Sequence, residues 1–162
     1  METHESFLKG YKPSYLCSSR FDGEILHQLH SLNYPHVIEY ELEDFDNPGT
    51  LYDIGILFFQ TEQLKSNYLA AVNDPSIENT YLLGKILGYP PVACKFFADA
   101  NNNEELSKKR AGFQYQGYKF VGNIDDLDEI VMWLWGNVPA PVAGVEVEYE
   151  DEIKVIEPAI VT

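Results

Sequence analysis

The spacing of apolar and polar residues divides this chain into short elements of both kinds. Ile25, Leu26, Leu29 and Leu32 recur at helical spacing, and Asp22 is placed to cap a helix from about Gly23 to Leu32. Asn33-Tyr34-Pro35 breaks it. His36 to Glu43 then alternates apolar and acidic residues like a half-exposed strand, with Ile38, Tyr40 and Leu42 as its inward set. Asn47-Pro48-Gly49 marks a turn. Ile54 to Phe59 is a continuous apolar run, which fits a buried strand or the start of the next helix. From Thr61 the helical period resumes through Leu64, Tyr68, Leu69 and Val72, ending at Asn73-Asp74.

The stretch from Asp74 to Phe97 predicts two helices meeting at a corner. Asp74 and Pro75 open the first as N-cap and first helical residue. Ile77, Tyr81, Leu83, Gly84, Ile86 and Leu87 follow at helical spacing, Gly88 closes the helix, and Pro90 stops it. Pro90-Pro91 starts the second, with Val92, Ala93, Phe96 and Phe97 apolar. A helix-interior glycine costs about 1 kcal/mol relative to alanine, so Gly84 calls for a packing or binding reason.

Beyond a polar break at 98–103, Glu104 to Arg110 reads as a short helical turn. Gly112 to Val121 reads as a bulged strand or two short strands. Leu127, Ile130, Val131 and Leu134 stripe a last helix opened by Gly122-Asn123 and closed by Gly136-Asn137. Val145 to Glu150 alternates strictly and turns at Asp151-Glu152 into Ile153 to Ile156. The expected fold is α+β: a single compact domain, residues 1–162, with four to five helices packed on a small antiparallel sheet. Residues 1–6 and 158–162 are expected to be loose.

Composition sharpens this. With 162 residues, 45% hydrophobic and 14% aromatic, the chain can build a core without disulfides. Its two cysteines, Cys17 and Cys94, suggest no disulfide framework, and Cys94 reads as a buried small hydrophobe. The acidic N-terminus is unlike a secretory signal, and no apolar run reaches the roughly 20 residues of a membrane span. A cytoplasmic location is expected.

The net charge of -15 argues against direct nucleic-acid or anionic-membrane binding. It suits a soluble protein, or one that fits a partner with a basic surface, including as a nucleic-acid mimic. Six acids and no lysine or arginine lie between His36 and Asp53. Glu39, Glu41 and Glu43 share one strand face by alternation, and Glu146, Glu148 and Glu150 share another. Such faces also serve as solvated edges that deter aggregation. As partner contacts they bring Tyr40 and Tyr149 as aromatic anchors.

No phosphate loop, dinucleotide-binding glycine motif, nucleophile elbow or paired-cysteine motif is present. Glu24, His27 and His30 lie on one helix face and, with Cys17, could ligate a metal, but the spacing is unspecific. No catalytic residue, metal ligand or cofactor is assigned. The corner offers a second candidate: Gly84, Gly88, Tyr89 and Val92 around a pocket for an anion or nucleotide, using the amides of the helix start.

Gly84-Lys85-Ile86-Leu87-Gly88-Tyr89-Pro90 resembles the G-x-x-L-G-Y-P signature of small uncharacterised phage, archaeal and bacterial proteins. The resemblance covers about 20 residues and implies no activity. It points toward a phage or mobile-element accessory protein. The leading expectation is an acidic intracellular interaction protein, of the type of a phage-encoded inhibitor of a host defence protein, in the host cytoplasm. The alternatives are the small-ligand binder at the Gly84–Pro91 corner and a metal-dependent enzyme. Exposed aromatics and strand edges permit a homodimer.

Overall fold

The computed structural model describes residues 1–159. The chain runs α1 (Thr3–Leu8), β1 (Ser14–Ser18), α2 (Gly23–Ser31), β2 (His36–Glu43), β3 (Leu51–Phe59), α3 (Glu62–Val72), α4 (Asn79–Ile86) and α5 (Pro91–Ala100). It continues α6 (Glu104–Ser107), β4 (Arg110–Tyr115), β5 (Tyr118–Asn123), a 3-10 turn (Ile124–Asp126), α7 (Leu127–Asn137), β6 (Val145–Tyr149) and β7 (Glu152–Ile156). The fold is α+β with antiparallel sheets. The strands form two sheets, ordered β1-β3-β2 and β5-β4-β6-β7. Among the described residues no helix is long and apolar enough to cross a membrane.

The apolar run 54–59 is the central strand of the first sheet. Its Ile56 and Phe58 face one core with Tyr15, Cys17, Leu29 and Phe7. Leu57 and Phe59 face another with Tyr68 and the apolar residues of α4. A strand covered on both faces has no reason to alternate, which is why its period was unreadable. The second sheet is covered on one face. Phe113, Tyr115, Tyr118, Phe120, Val145 and Val147 pack against Ala93 of α5 and Ile130, Val131 and Leu134 of α7. Its hairpin β4–β5 turns through Gln116 (φ 48°) and Gly117 (φ 84°), the two left-handed residues of a tight hairpin turn.

Three expectations need correction. Residues 1–6 are not loose: Thr3 begins α1, Ser6 is buried, and Glu2 N–H donates to the Glu5 carboxylate at 2.9 Å. Asp74 does not cap α4. Its carboxylate accepts from Ser76 N–H at 2.9 Å and holds a turn, while Glu78 caps the helix through Thr80 and Tyr81 N–H. The last turn lies one residue early, at Glu150 (φ 51°) and Asp151 (φ 63°). The tail expected over 158–162 falls mostly outside the described residues.

Candidate functional site

The corner between α4 and α5 is built as its residues require. Gly88 has φ 92°, its N–H donates to Lys85 O at 3.0 Å, and Tyr89 N–H donates to Gly84 O at 3.1 Å. This pair of bonds satisfies two of the helix's orphan carbonyls. Side chains from the N-terminal segment satisfy two more: Ser14 Oγ donates to Ile86 O, and Lys12 Nζ donates to Leu87 O at 2.6 Å.

Lys12 is fully buried and lies over the rings of Tyr118 (4.3 Å) and Tyr89 (4.6 Å). Burial pushes its ammonium down to about 7. The two rings and the carbonyl at a helix C-terminus act the other way, because each favours the charged form. Sequence reasoning passed over Lys12, since nothing local distinguishes it from a surface lysine.

Gly84 has a packing reason. A Cβ there would stand 2.8 Å from the Cys94 Sγ, so the glycine lets α4 and α5 close on each other. A groove of about 280 Å³ opens beside this contact, between α4, α5 and β5. Leu83, Leu87, Tyr89, Ala93 and Phe97 give it apolar walls. Of the four expected ligand residues, Gly84 and Tyr89 line the groove. Gly88 packs on Pro13 and Tyr118 instead, and Val92 packs against the second sheet's core.

The helix start is also poor in donors. Pro90 and Pro91 carry no N–H, and the amides of Ala93 and Cys94 donate to Pro90 O at 3.0 and 3.1 Å. The cluster of free amides that an anion needs is not assembled there.

The expected acidic faces are rearranged by a bulge. Ile38 pairs with Ile56 but Tyr40 pairs with Gly55, so Glu39 is the extra residue and the side chains beyond it change face. Leu42, beyond the bulge, is exposed, and so is Ile38 just before it, against the expected inward set. Glu39 turns back to accept from the Tyr68 hydroxyl. Burial, with this carboxylate beside it, raises the Tyr68 pKa.

Tyr40 lies flat over Gly55, where a Cβ would come 2.1 Å from the ring, and its hydroxyl donates to Asp53 at 2.9 Å. Asp53 also accepts from Ser18 Oγ (2.7 Å), Ser19 Oγ (3.3 Å) and Arg20 N–H (3.2 Å). Chiefly the Ser18 bond holds its carboxyl below the usual range. Asp53 is thus a satisfied buried acid, and Tyr40 is its support. Of the β2 set, Glu41 and Glu43 face solvent.

On β6, Glu146 and Glu148 lie on the outer sheet face, beside Gln114 and Gly112 on one strand and Val155 and Ile153 on the other. Tyr149 packs against the core on the opposite face, and Glu150 sits in the turn. The expected partner set is therefore two separate acidic pairs. Neither tyrosine is a free anchor.

The most exposed aromatic among the described residues is elsewhere. Phe45, at the tip of the β2–β3 hairpin, is 100% exposed between Asp44 and Asp46. The signal was available in the sequence, as one phenylalanine inside a polar turn, and alternation arguments skip turns.

Glu24, His27, His30 and Cys17 do not converge. Cys17 is buried with its thiol toward Asp22 O, and His30 meets His36 edge to face with ring centroids 4.6 Å apart. Among the described residues no three His, Cys, Asp or Glu side chains gather to hold a metal. No protein-family model, curated protein or solved structure matches this chain.

Proposed function

We propose that this protein is an acidic interaction protein that binds a partner with a basic surface. The observation that carries this reading is that four of its outward acids, among the described residues, have no internal ion-pair partner. Among the described residues the ion pairs use Glu2, Asp99, Glu105 and Asp125, and none uses Glu41, Glu43, Glu146 or Glu148. With a net charge of -15, the surface carries an uncompensated field that speeds and selects encounter with a cationic partner. The sharper form of the proposal is a phage-type inhibitor of a host defence protein, acting as a nucleic-acid mimic. It draws on the resemblance of residues 84–90 and on the charge.

Affinity capture with the tagged protein from a bacterial lysate tests it. A basic protein retained at low salt and released at ~1 M salt, where the Debye length is about 3 Å, is the expected result. Retention that ignores salt, or no retention, would count against it.

The apolar groove favours a second reading, a small-ligand site at the α4–α5 corner. At about 280 Å³ it lies near the small end of ligand pockets. A benzene-sized apolar compound would then shift the amide resonances of Gly84 and Val121 saturably. A response there to nucleotide alone would point back to anion binding.

A further inference from the structure

The geometry points to the tip of the β2–β3 hairpin as the partner-binding element, with Phe45 inserting into an apolar pocket rimmed by lysine or arginine on a partner protein. This rests on the interaction reading above and narrows it to one element.

Three observations carry it. First, the tip is held in shape. Asp44 N–H donates to Thr50 O at 2.8 Å, Thr50 N–H to Asn47 O at 3.1 Å, and Asp46 N–H to the Asp44 carboxylate at 3.0 Å. Gly49, at φ 88°, supplies the left-handed residue that the loop closure uses. Phe45 therefore projects from an ordered loop, and little ordering is left to be done on binding.

Second, further apolar side chains are exposed on the hairpin behind the tip. Leu42, Leu51 and Tyr52 are all exposed, and the Arg20 guanidinium stacks on the Tyr52 ring at 3.8 Å. A central aromatic anchor with flanking apolar contacts is the usual anatomy of an interaction hot spot.

Third, the charges around the anchor choose the partner. Glu41, Glu43, Asp44 and Asp46 surround it in sequence, and the stretch from His36 to Asp53 holds no lysine or arginine. An anionic lipid surface or a nucleic acid would be repelled by these groups. A second copy of this chain would bring two such tips together and is opposed by the same repulsion. A protein pocket with a cationic rim complements both the phenyl group and the carboxylates.

The test places photoreactive p-benzoylphenylalanine in the full chain in place of Phe45, Tyr52 or, separately, Glu146. Each variant is irradiated in a bacterial lysate. The expected result is an adduct with a basic protein from positions 45 and 52, about fivefold or more over position 146, that does not form when the lysate is irradiated in ~1 M salt. With that protein purified, Phe45→Ser should weaken binding about tenfold. Its urea midpoint should stay unchanged, because a fully exposed ring contributes no packing.

Adducts from position 146 alone would overturn the hairpin assignment and leave the acidic-interaction reading standing. No adduct from any position would overturn both. An adduct at 45 that still forms when irradiated in high salt, or that forms with an acidic protein, would overturn the basic-rimmed pocket. So would a captured partner that binds Phe45→Ser as tightly as the unmodified chain.

Discussion

In the three-stranded sheet, β3 is buried at every residue from Gly55 to Phe59, with helices on both sides. In the four-stranded sheet, β6 buries Val145 and Val147 and turns Glu146 and Glu148 outward. The difference teaches where acids can go in so charged a protein. The double-covered sheet admits one buried acid, Asp53, and satisfies it with four donors. Of its remaining acids, Glu39 turns back onto Tyr68 of α3, and the others lie toward the β2–β3 tip. The single-covered sheet can hold acids along its whole outer face, because every second residue meets water.

The largest expected effect breaks the double-covered sheet. Phe58→Ala removes a fully buried ring facing Phe7, Tyr15 and Cys17 and should cost about 3–5 kcal/mol by urea unfolding. A loss under about 1 kcal/mol would mean that face is not a packed core.

Next is Gly55→Ala, whose Cβ would stand 2.1 Å from the Tyr40 ring. Displacing the ring removes the Tyr40–Asp53 bond and should cost about 1–3 kcal/mol. Adding Tyr40→Ala should cost less in this background than in the unmodified chain, a coupling that a double-mutant cycle reads directly.

Lys12 joins the two sheets and tests the contact between them. Its folded pKa of about 7 lies below the ordinary 10.5. Between those values the unfolded chain binds a proton that the folded chain lacks, so stability rises with pH across that window. From about pH 7 to about pH 8.5 the gain is ~1.5 kcal/mol, and Lys12→Met should abolish it. The difference between the two stability curves isolates this group from the thiols, which burial pushes up to about 12 at Cys17 and about 11 at Cys94. Parallel curves would show that the tyrosine rings and Leu87 O keep the ammonium charged.

The smallest effect belongs to the open face of the second sheet. Ile153→Thr, at a residue 61% exposed, should change stability by no more than about 0.5 kcal/mol. A larger loss would mean that this face is covered, and analytical ultracentrifugation of the same variant would then show whether a second copy covers it.

Much of the fold was legible where one face of an element meets water. The α2 boundaries, the β6–β7 hairpin to within one residue of its turn, and the Leu127–Leu134 stripe followed from spacing alone, as did the Gly88 closure of α4, while spacing left 112–121 open between a bulged strand and the two short strands that form. Spacing could not report long-range events. The bulge at Glu39 inverts the faces of β2 and took Tyr40 and Glu39 out of the expected partner set. The fates of Lys12 and Gly84 depend on partners far along the chain or on another helix. Of the candidate site, Gly84, Tyr89, Glu41, Glu43, Glu146 and Glu148 kept positions compatible with contact. Phe45 was missed because its significance is its isolation, which a period cannot express.

The bonds around Lys12 also set an order of events during synthesis. Tyr11 O accepts from the Tyr118 hydroxyl, 107 residues later, at 2.5 Å. At about 5–20 residues per second, translation leaves the segment around Lys12 without that tyrosine for roughly 5–20 s. The three-stranded sheet and its helices have all their strands by Phe59, so they can close during that interval. The seam at Lys12 therefore has to wait for β5, while α7, β6 and β7 emerge later still to complete the second sheet. Slowing elongation between Gln60 and Tyr118 should prolong protease sensitivity at Tyr11 and Lys12 and leave the first sheet, with Phe7 in its core, protected.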